Sequence, residues 1–144
     1  MKTRSRGQVL VEFALISPVL ISLLLGGIQF GYAFYTYNNL EKAVRDGARF
    51  ASMRTYQVGD GSFISDVRNV VVFGKPNPTL GEQANPQVHG LTVGHVAVTP
   101  PSGTMSTVRI SVSSYTMSLP LGDITLTSKP NATFRYVGRY VPSL

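Results

Sequence analysis

The sequence predicts an α+β chain: a long N-terminal transmembrane and spine helix, a short second helix and a small antiparallel β-sheet. Three observations carry this. Residues 8–35, QVLVEFALISPVLISLLLGGIQFGYAFY, are apolar almost throughout, with one formal charge at Glu12 and a polar Gln29 near the far end. Apolar or small residues then recur at Leu40, Val44, Gly47, Ala48 and Ala51 with the 3.6-residue period of a helix. From Leu91 onward the pattern changes to period-two alternation, as in Val108, Ile110 and Val112, punctuated by Pro- and Gly-containing turns.

The apolar stretch is long enough to cross a hydrocarbon core about 30 Å thick at about 1.5 Å per helical residue. Lys2, Arg4 and Arg6 precede it and stay cytoplasmic by the positive-inside rule, so the rest of the chain faces outward. This predicts a single-pass protein of the cytoplasmic membrane. Tyr32, Phe34, Tyr35 and Tyr37 fall where an aromatic belt meets the outer headgroups, although helix packing also accounts for them. A cleaved secretory signal fits poorly, because the run exceeds an h-region of about 7–15 residues, contains an acid and is followed by no A-x-A site. Beyond the span, Glu41 with Arg45 and Lys42 with Asp46 have i,i+4 spacing on the wetter side. One helix from Gln8 to Met53 therefore serves as anchor and spine.

Composition limits the alternatives. Of 144 residues 43% are hydrophobic and only 14% charged, against about 25% charged in typical soluble domains, so part of the surface faces something other than water. The net charge is +6, and Lys2, Arg4 and Arg6 supply half of it. No Lys/Arg stripe with interleaved aromatics follows, which argues against nucleic acid as a partner. With no cysteine, disulfides and thiolate metal sites are excluded.

The head follows a glycine-rich break at residues 58–61. A second helix is predicted from Ser62 to Phe73, with Phe63, Val67, Val70 and Val71 on one face, Asp60 or Ser62 as N-cap, and Gly74 as its stop. Residues 75–90 read as a long loop. Leu91 and Val93 alternate, then Val96 and Val98 continue out of phase, which predicts a bulge at Gly94 or His95. Residues 100–103, PPSG, make a turn before the strand of Val108, Ile110 and Val112. Ile124, Leu126, Ala132, Phe134 and Tyr136 share one phase but are interrupted by Lys129-Pro130-Asn131, which predicts an edge strand or two short ones. His89 and His95 have no acidic cluster nearby and read as loop residues, so no metal site and no cofactor are expected. No hydrolase elbow, P-loop, zinc-protease or dinucleotide motif occurs, so no catalytic residue is expected either. Gly59-Asp60-Gly61 lacks the spaced carboxylates of a calcium loop, and the sequon Asn131-Ala132-Thr133 is too short a pattern to assign a sugar.

Arg6-Gly7-Gln8-Val9-Leu10-Val11-Glu12-Phe13 presents a Gly, four residues, then Glu followed by an aromatic. This resembles the processing site of prepilins of tight-adherence (Flp/Tad) type IV pili. The whole opening, through the helix that ends ARFA, resembles the TadE-like family of pseudopilins and minor pilins, while the remainder is pilin-like in layout only. The resemblance implies a loop-like basic leader, residues 1–7, removed by a prepilin peptidase after Gly7, which makes Gln8 the new N-terminus and Glu12 the fifth residue. It also implies an N-terminal helix over residues 8–56 and an extracytoplasmic head over 57–144. Its implied partners are other pilin or pseudopilin subunits, the peptidase, the pilus assembly platform and the lipid bilayer, with cell adhesion as the biological setting. Gln8 departs from the Phe or Met with which type IV pilins usually begin.

Physics marks the same residues. A carboxylate inside a bilayer-spanning helix costs several kcal/mol unless it reaches the interface or finds a partner. In a pilin-like assembly the partner of Glu12 is the α-ammonium of a neighbour's Gln8, with Phe13 beside it, and the bond sets the register between helices; near the end of the span Glu12 can instead reach headgroup water. Pro18 cannot donate to the Ala14 carbonyl, so a kink or loosening is expected there. Gly27 and Gly31 form a G-x-x-x-G pattern that admits a second backbone. The leading reading is a structural subunit, the second a single-pass anchored domain that binds a ligand outside the cell without polymerising, and the third an enzyme.

Overall fold

The computed structural model describes residues 6–59, 61–102, 107–119 and 122–141. Helix α1 runs from Arg6 to Met53, 48 residues, which at about 1.5 Å per residue makes a rod about 70 Å long. It starts two residues before Gln8, so Arg6 and Gly7 are helical where a loop-like leader was expected; no Pro or capping residue separates them from the apolar run. The rest of the leader, residues 1–5, lies outside the described residues.

Two environments succeed one another along α1. Its N-terminal part packs against little, whereas Leu40, Ala43, Val44, Ala48 and Ala51 are buried, as the helical period predicted. Strand β1, Tyr56–Gln57, follows directly, and helix α2, Gly61–Phe73, then folds back across the buried face. Phe63, Val67, Val70 and Val71 turn inward, with Val72 beside them. The helices approach closely at Gly47, where a Cβ would stand 2.3 Å from Val71 Cγ2. Only a residue without a side chain fits that crossing. Because α2 starts at Gly61, Ser62 lies inside its first turn rather than at the cap, and Asp60 lies outside the described residues. Gly74 ends the helix in the left-handed conformation (φ 77°), donating its N–H to the Val70 carbonyl at 2.9 Å.

The expected loop over 75–90 contains a short helix, α3, Leu80–Gln83. Its signal in the sequence is Thr79-Leu80-Gly81-Glu82, a capping box in which Thr79 and Glu82 satisfy each other's backbone donors. The Lys75 ammonium and the Thr79 N–H hold the exposed Glu82 carboxyl far below the usual range, at about 2.

The main sheet comprises β2 (Val96–Thr99), β3 (Thr107–Val112) and, after strands β4 (Tyr115–Met117) and β5 (Ile124–Leu126), β6 (Asn131–Arg135). Its order is β2-β3-β6, antiparallel throughout, with Val98 opposite Ile110, Ile110 opposite Ala132 and Val108 opposite Phe134. Val108, Ile110 and Val112 are fully buried against α1 and α2, and Arg68 on α2 donates from Nε to the Val96 carbonyl at 3.0 Å. The bulge expected at Gly94 or His95 is instead a single 3₁₀ turn, Val93–His95, closed by the His95 N–H to the Thr92 carbonyl. The turn achieves the same change of phase, because Leu91 and Val96 both point inward although five residues apart. The segment from Ile124 to Tyr136 divides into two short strands in separate sheets, split at Lys129-Pro130, and its shared phase does not give one buried face: Ile124 and Phe134 are exposed while Tyr136 is buried. Strand β4 was not foreseen; it pairs with β5 in a separate hairpin, Tyr115 opposite Leu126 and Met117 opposite Ile124.

The C-terminal segment is tied to the end of α1. Strand β7, Tyr140–Val141, runs parallel to β1, and the Val137 and Gly138 N–H groups both donate to the Ser52 carbonyl at 2.9 Å. The Tyr136 hydroxyl accepts from the Tyr56 N–H at 2.9 Å and donates to the Arg54 carbonyl at 2.8 Å or the Arg139 carbonyl at 2.9 Å. Losing a partner in a buried network costs about 1–3 kcal/mol. Tyr136→Phe is therefore expected to lower the stability of the head by about that amount, read as a shift in its urea midpoint. An unchanged midpoint would mean that the hydroxyl does not tether the two ends.

Candidate membrane and assembly interface

The residues singled out in the sequence all lie on the bare part of α1. Gly7, Gln8, Glu12, Phe13, Gly27 and Gly31 are exposed, and none of the most apolar 18-residue window of the helix is buried. Mean hydropathy over that window reaches 2.3, which makes α1 long and apolar enough to cross a membrane. Val9, Leu10, Phe13, Leu15, Leu20, Leu23 and Leu24 are exposed on every side of the rod. A helix apolar all round has lipid or other helices as its natural surroundings.

Glu12 stands one helical turn beyond Gln8 on the same face, and among the described residues it forms no ion pair. Its carboxylate therefore draws no compensation from this chain. At Pro18 α1 continues, but the Ala14 carbonyl loses its usual donor, and the Ser22 hydroxyl donates to the Pro18 carbonyl at 2.7 Å. Both features loosen one turn of the helix. A Cβ built on Gly27 or Gly31 meets nothing within 4 Å, so the strip between them is open to another backbone.

Of the two side-chain pairs expected on the wetter side, Glu41 and Arg45 form an ion pair at 2.5 Å. Lys42 and Asp46 do not come within ion-pair distance and line a polar cleft with Tyr35, Asn39 and Gln87. His95 accepts at Nδ1 from the Thr92 N–H at 3.2 Å and packs edge-on against Tyr115, while the His89 carbonyl accepts from the Tyr115 hydroxyl at 2.7 Å. Among the described residues no three His, Asp or Glu side chains gather closely enough to hold a metal ion.

One part of this surface was missed. The β4–β5 hairpin lies alongside α1, so that Ser118 and Leu119 approach Ile28 and Tyr32, and Met117, Ile124 and Leu126 face Gln29, Phe30 and Phe34 across a groove of about 370 Å³. Its signal was the alternation Tyr115, Met117, Leu119, all buried, which resumes a period of two after Ser113-Ser114, out of phase with β3.

The model of the TadE-like protein family matches residues 7–49. The N-terminal helix is TadE-like. The match begins at the glycine expected to precede cleavage and ends where α1 is already inside the core of the head. It thus takes in the whole bare rod and most of the spine, and it associates the chain with the tight-adherence pilus system. Strands β1–β7 and helices α2 and α3 lie outside it. No curated protein and no solved structure matches the chain.

Proposed function

We propose that this chain is a pilin-like structural subunit, a TadE-like minor pilin or pseudopilin of a tight-adherence pilus. A prepilin peptidase removes residues 1–7, and the mature subunit packs into or caps a filament through residues 8–53. The head remains outside the cytoplasmic membrane, and the protein acts without a catalytic residue or cofactor of its own. The observation that carries this reading is the TadE-like match lying on a helix whose apolar half is unburied on all sides. Such a rod needs lipid before assembly and other helices after it. Gly7, four residues ahead of Val11 and five ahead of Glu12, supplies the spacing that processing requires.

A second reading, a single-pass anchored domain that binds a ligand and never polymerises, draws support from the head lying outside the family match. Intact mass of the protein recovered from cells separates the two. Loss of Met1–Gly7 is the expected result; retention of those residues in cells that possess a prepilin peptidase would favour the simple anchor.

A further inference from the structure

We infer that the β4–β5 hairpin is a second membrane contact, which holds the head down on the bilayer with lipid filling the groove between hairpin and α1. The inference rests on the membrane-anchor reading of α1 and goes beyond it.

Depth comes first. A hydrocarbon core about 30 Å thick takes about 20 helical residues at about 1.5 Å each, and the apolar run that starts at Val9 uses that allowance at about Ile28. At that level Ile28 and Tyr32 line a hollow together with Ser118 and Leu119 of the hairpin. The hairpin therefore descends along α1, from Tyr115 to Leu119, until it meets the outer edge of the hydrocarbon. The groove one turn above it, between Gln29 and Tyr37 on the helix and Met117 and Ile124 on the hairpin, then lies in the layer about 5–10 Å deep that interfacial segments occupy.

Composition agrees with that placement. The groove is walled by Phe30 (81% exposed), Phe34 (66% exposed), Met117, Ile124 (44% exposed) and Leu126, with Gln29 as its polar member. Large side chains left this open are at home against acyl chains and the glycerol region. The end of the head farthest along α1 from this groove is where Val137 donates its N–H to the Ser52 carbonyl.

The chain contains no tryptophan, so each introduced indole reports alone. Full-length protein is reconstituted in phosphatidylethanolamine/phosphatidylglycerol vesicles carrying lipids brominated on the upper acyl chain, as Ile124→Trp, Val137→Trp and Leu20→Trp. Leu20→Trp marks the span, and Val137→Trp marks the far end of the head, where Val137 is 70% exposed. At a depth of about 5–10 Å, Ile124→Trp is expected to emit to the blue of Val137→Trp and to be quenched at least about twice as strongly. Quenching of Leu20→Trp alone, with the indole at 124 open to aqueous iodide, would overturn the inference while leaving the anchor intact. An indole at 124 shielded from both lipid and iodide would mean that protein occupies the groove, and would overturn it too. No quenching of Leu20→Trp would remove the anchor reading itself. Should Ile124→Trp fail to fold, a nitroxide on Ile124→Cys gives the same answer from its accessibility to oxygen against a nickel chelate, since the chain has no other cysteine.

Discussion

Phe63→Ala is expected to cost the head about 3–5 kcal/mol, a large share of the 5–15 kcal/mol that holds a typical domain together. Phe63 is the largest of the fully buried side chains, 1% exposed, and its ring meets Tyr56 edge-on at 4.9 Å between centroids. Truncation removes the transfer free energy of the ring and leaves a cavity among Tyr56, Val67 and the spine. That cavity cannot close easily. On one side α1 and α2 already touch at Gly47, and on another the β1–β7 pairing fixes Tyr56 to the C-terminal segment. The measurement is urea denaturation of the full chain in detergent micelles, followed by the near-ultraviolet tyrosine signal, in which Tyr56, Tyr115, Tyr136 and Tyr140 report the head and Tyr32, Tyr35 and Tyr37 on α1 add a background that a parent carrying Tyr32→Phe, Tyr35→Phe and Tyr37→Phe removes. With a slope of about 1–3 kcal/mol/M, the midpoint falls by about 1 M or more. A shift much smaller than that would mean that α2 is a loosely attached layer and not part of the head's core.

How much of this could be read in the residues depends on what each position has to satisfy. The spine was legible because its buried face is fixed by helical geometry alone: Leu40, Val44, Gly47, Ala48 and Ala51 recur at the period that any helix packed on one side imposes. Helix α2 and the inner face of β3 were legible for the same reason, since each buries one unbroken face. The rest depended on contacts distant in sequence. Whether Ile124 and Phe134 face inward is decided by which strands they pair with, and β5 pairs with β4 while β6 pairs with β3, so a common phase did not imply a common face. The 3₁₀ turn at Val93–His95 and a bulge give the same change of phase along the chain, and only the partner strand tells them apart. For the interface, local patterns indicated Glu12, Pro18 and the two glycines, because a charge, a ring and missing side chains in an apolar helix are anomalies wherever the helix sits. The groove beside Phe30 and Phe34 gave no such sign, since one wall of it lies more than eighty residues further along the chain.

Glu12→Ala is expected to leave removal of residues 1–7 intact and to reduce incorporation into filaments by about 10- to 100-fold. The magnitude follows from the bond proposed between the Glu12 carboxylate and the α-ammonium of a neighbour's Gln8. Charge-assisted hydrogen bonds contribute about 1.5–3 kcal/mol, and each 1.4 kcal/mol is about a factor of ten in an equilibrium. Within one chain Glu12 has no ion-pair partner among the described residues, and the helix around it is apolar, so the acid adds nothing to the fold of the subunit and is costly to keep in lipid. Removing it should even ease the residence of the single helix in the membrane. The loss must therefore be confined to assembly, and that separates a register bond from a general defect: intact mass and membrane recovery stay as in the parent chain, while immunolabelling of sheared filaments falls. Glu12→Gln keeps the volume and removes the charge, so it should behave like Glu12→Ala; near-parental labelling in Glu12→Gln would assign the effect to shape. Normal filaments in Glu12→Ala, with the leader correctly removed, would take the acid out of the mechanism and leave the apolar rod, Gly27 and Gly31 to set the packing by themselves.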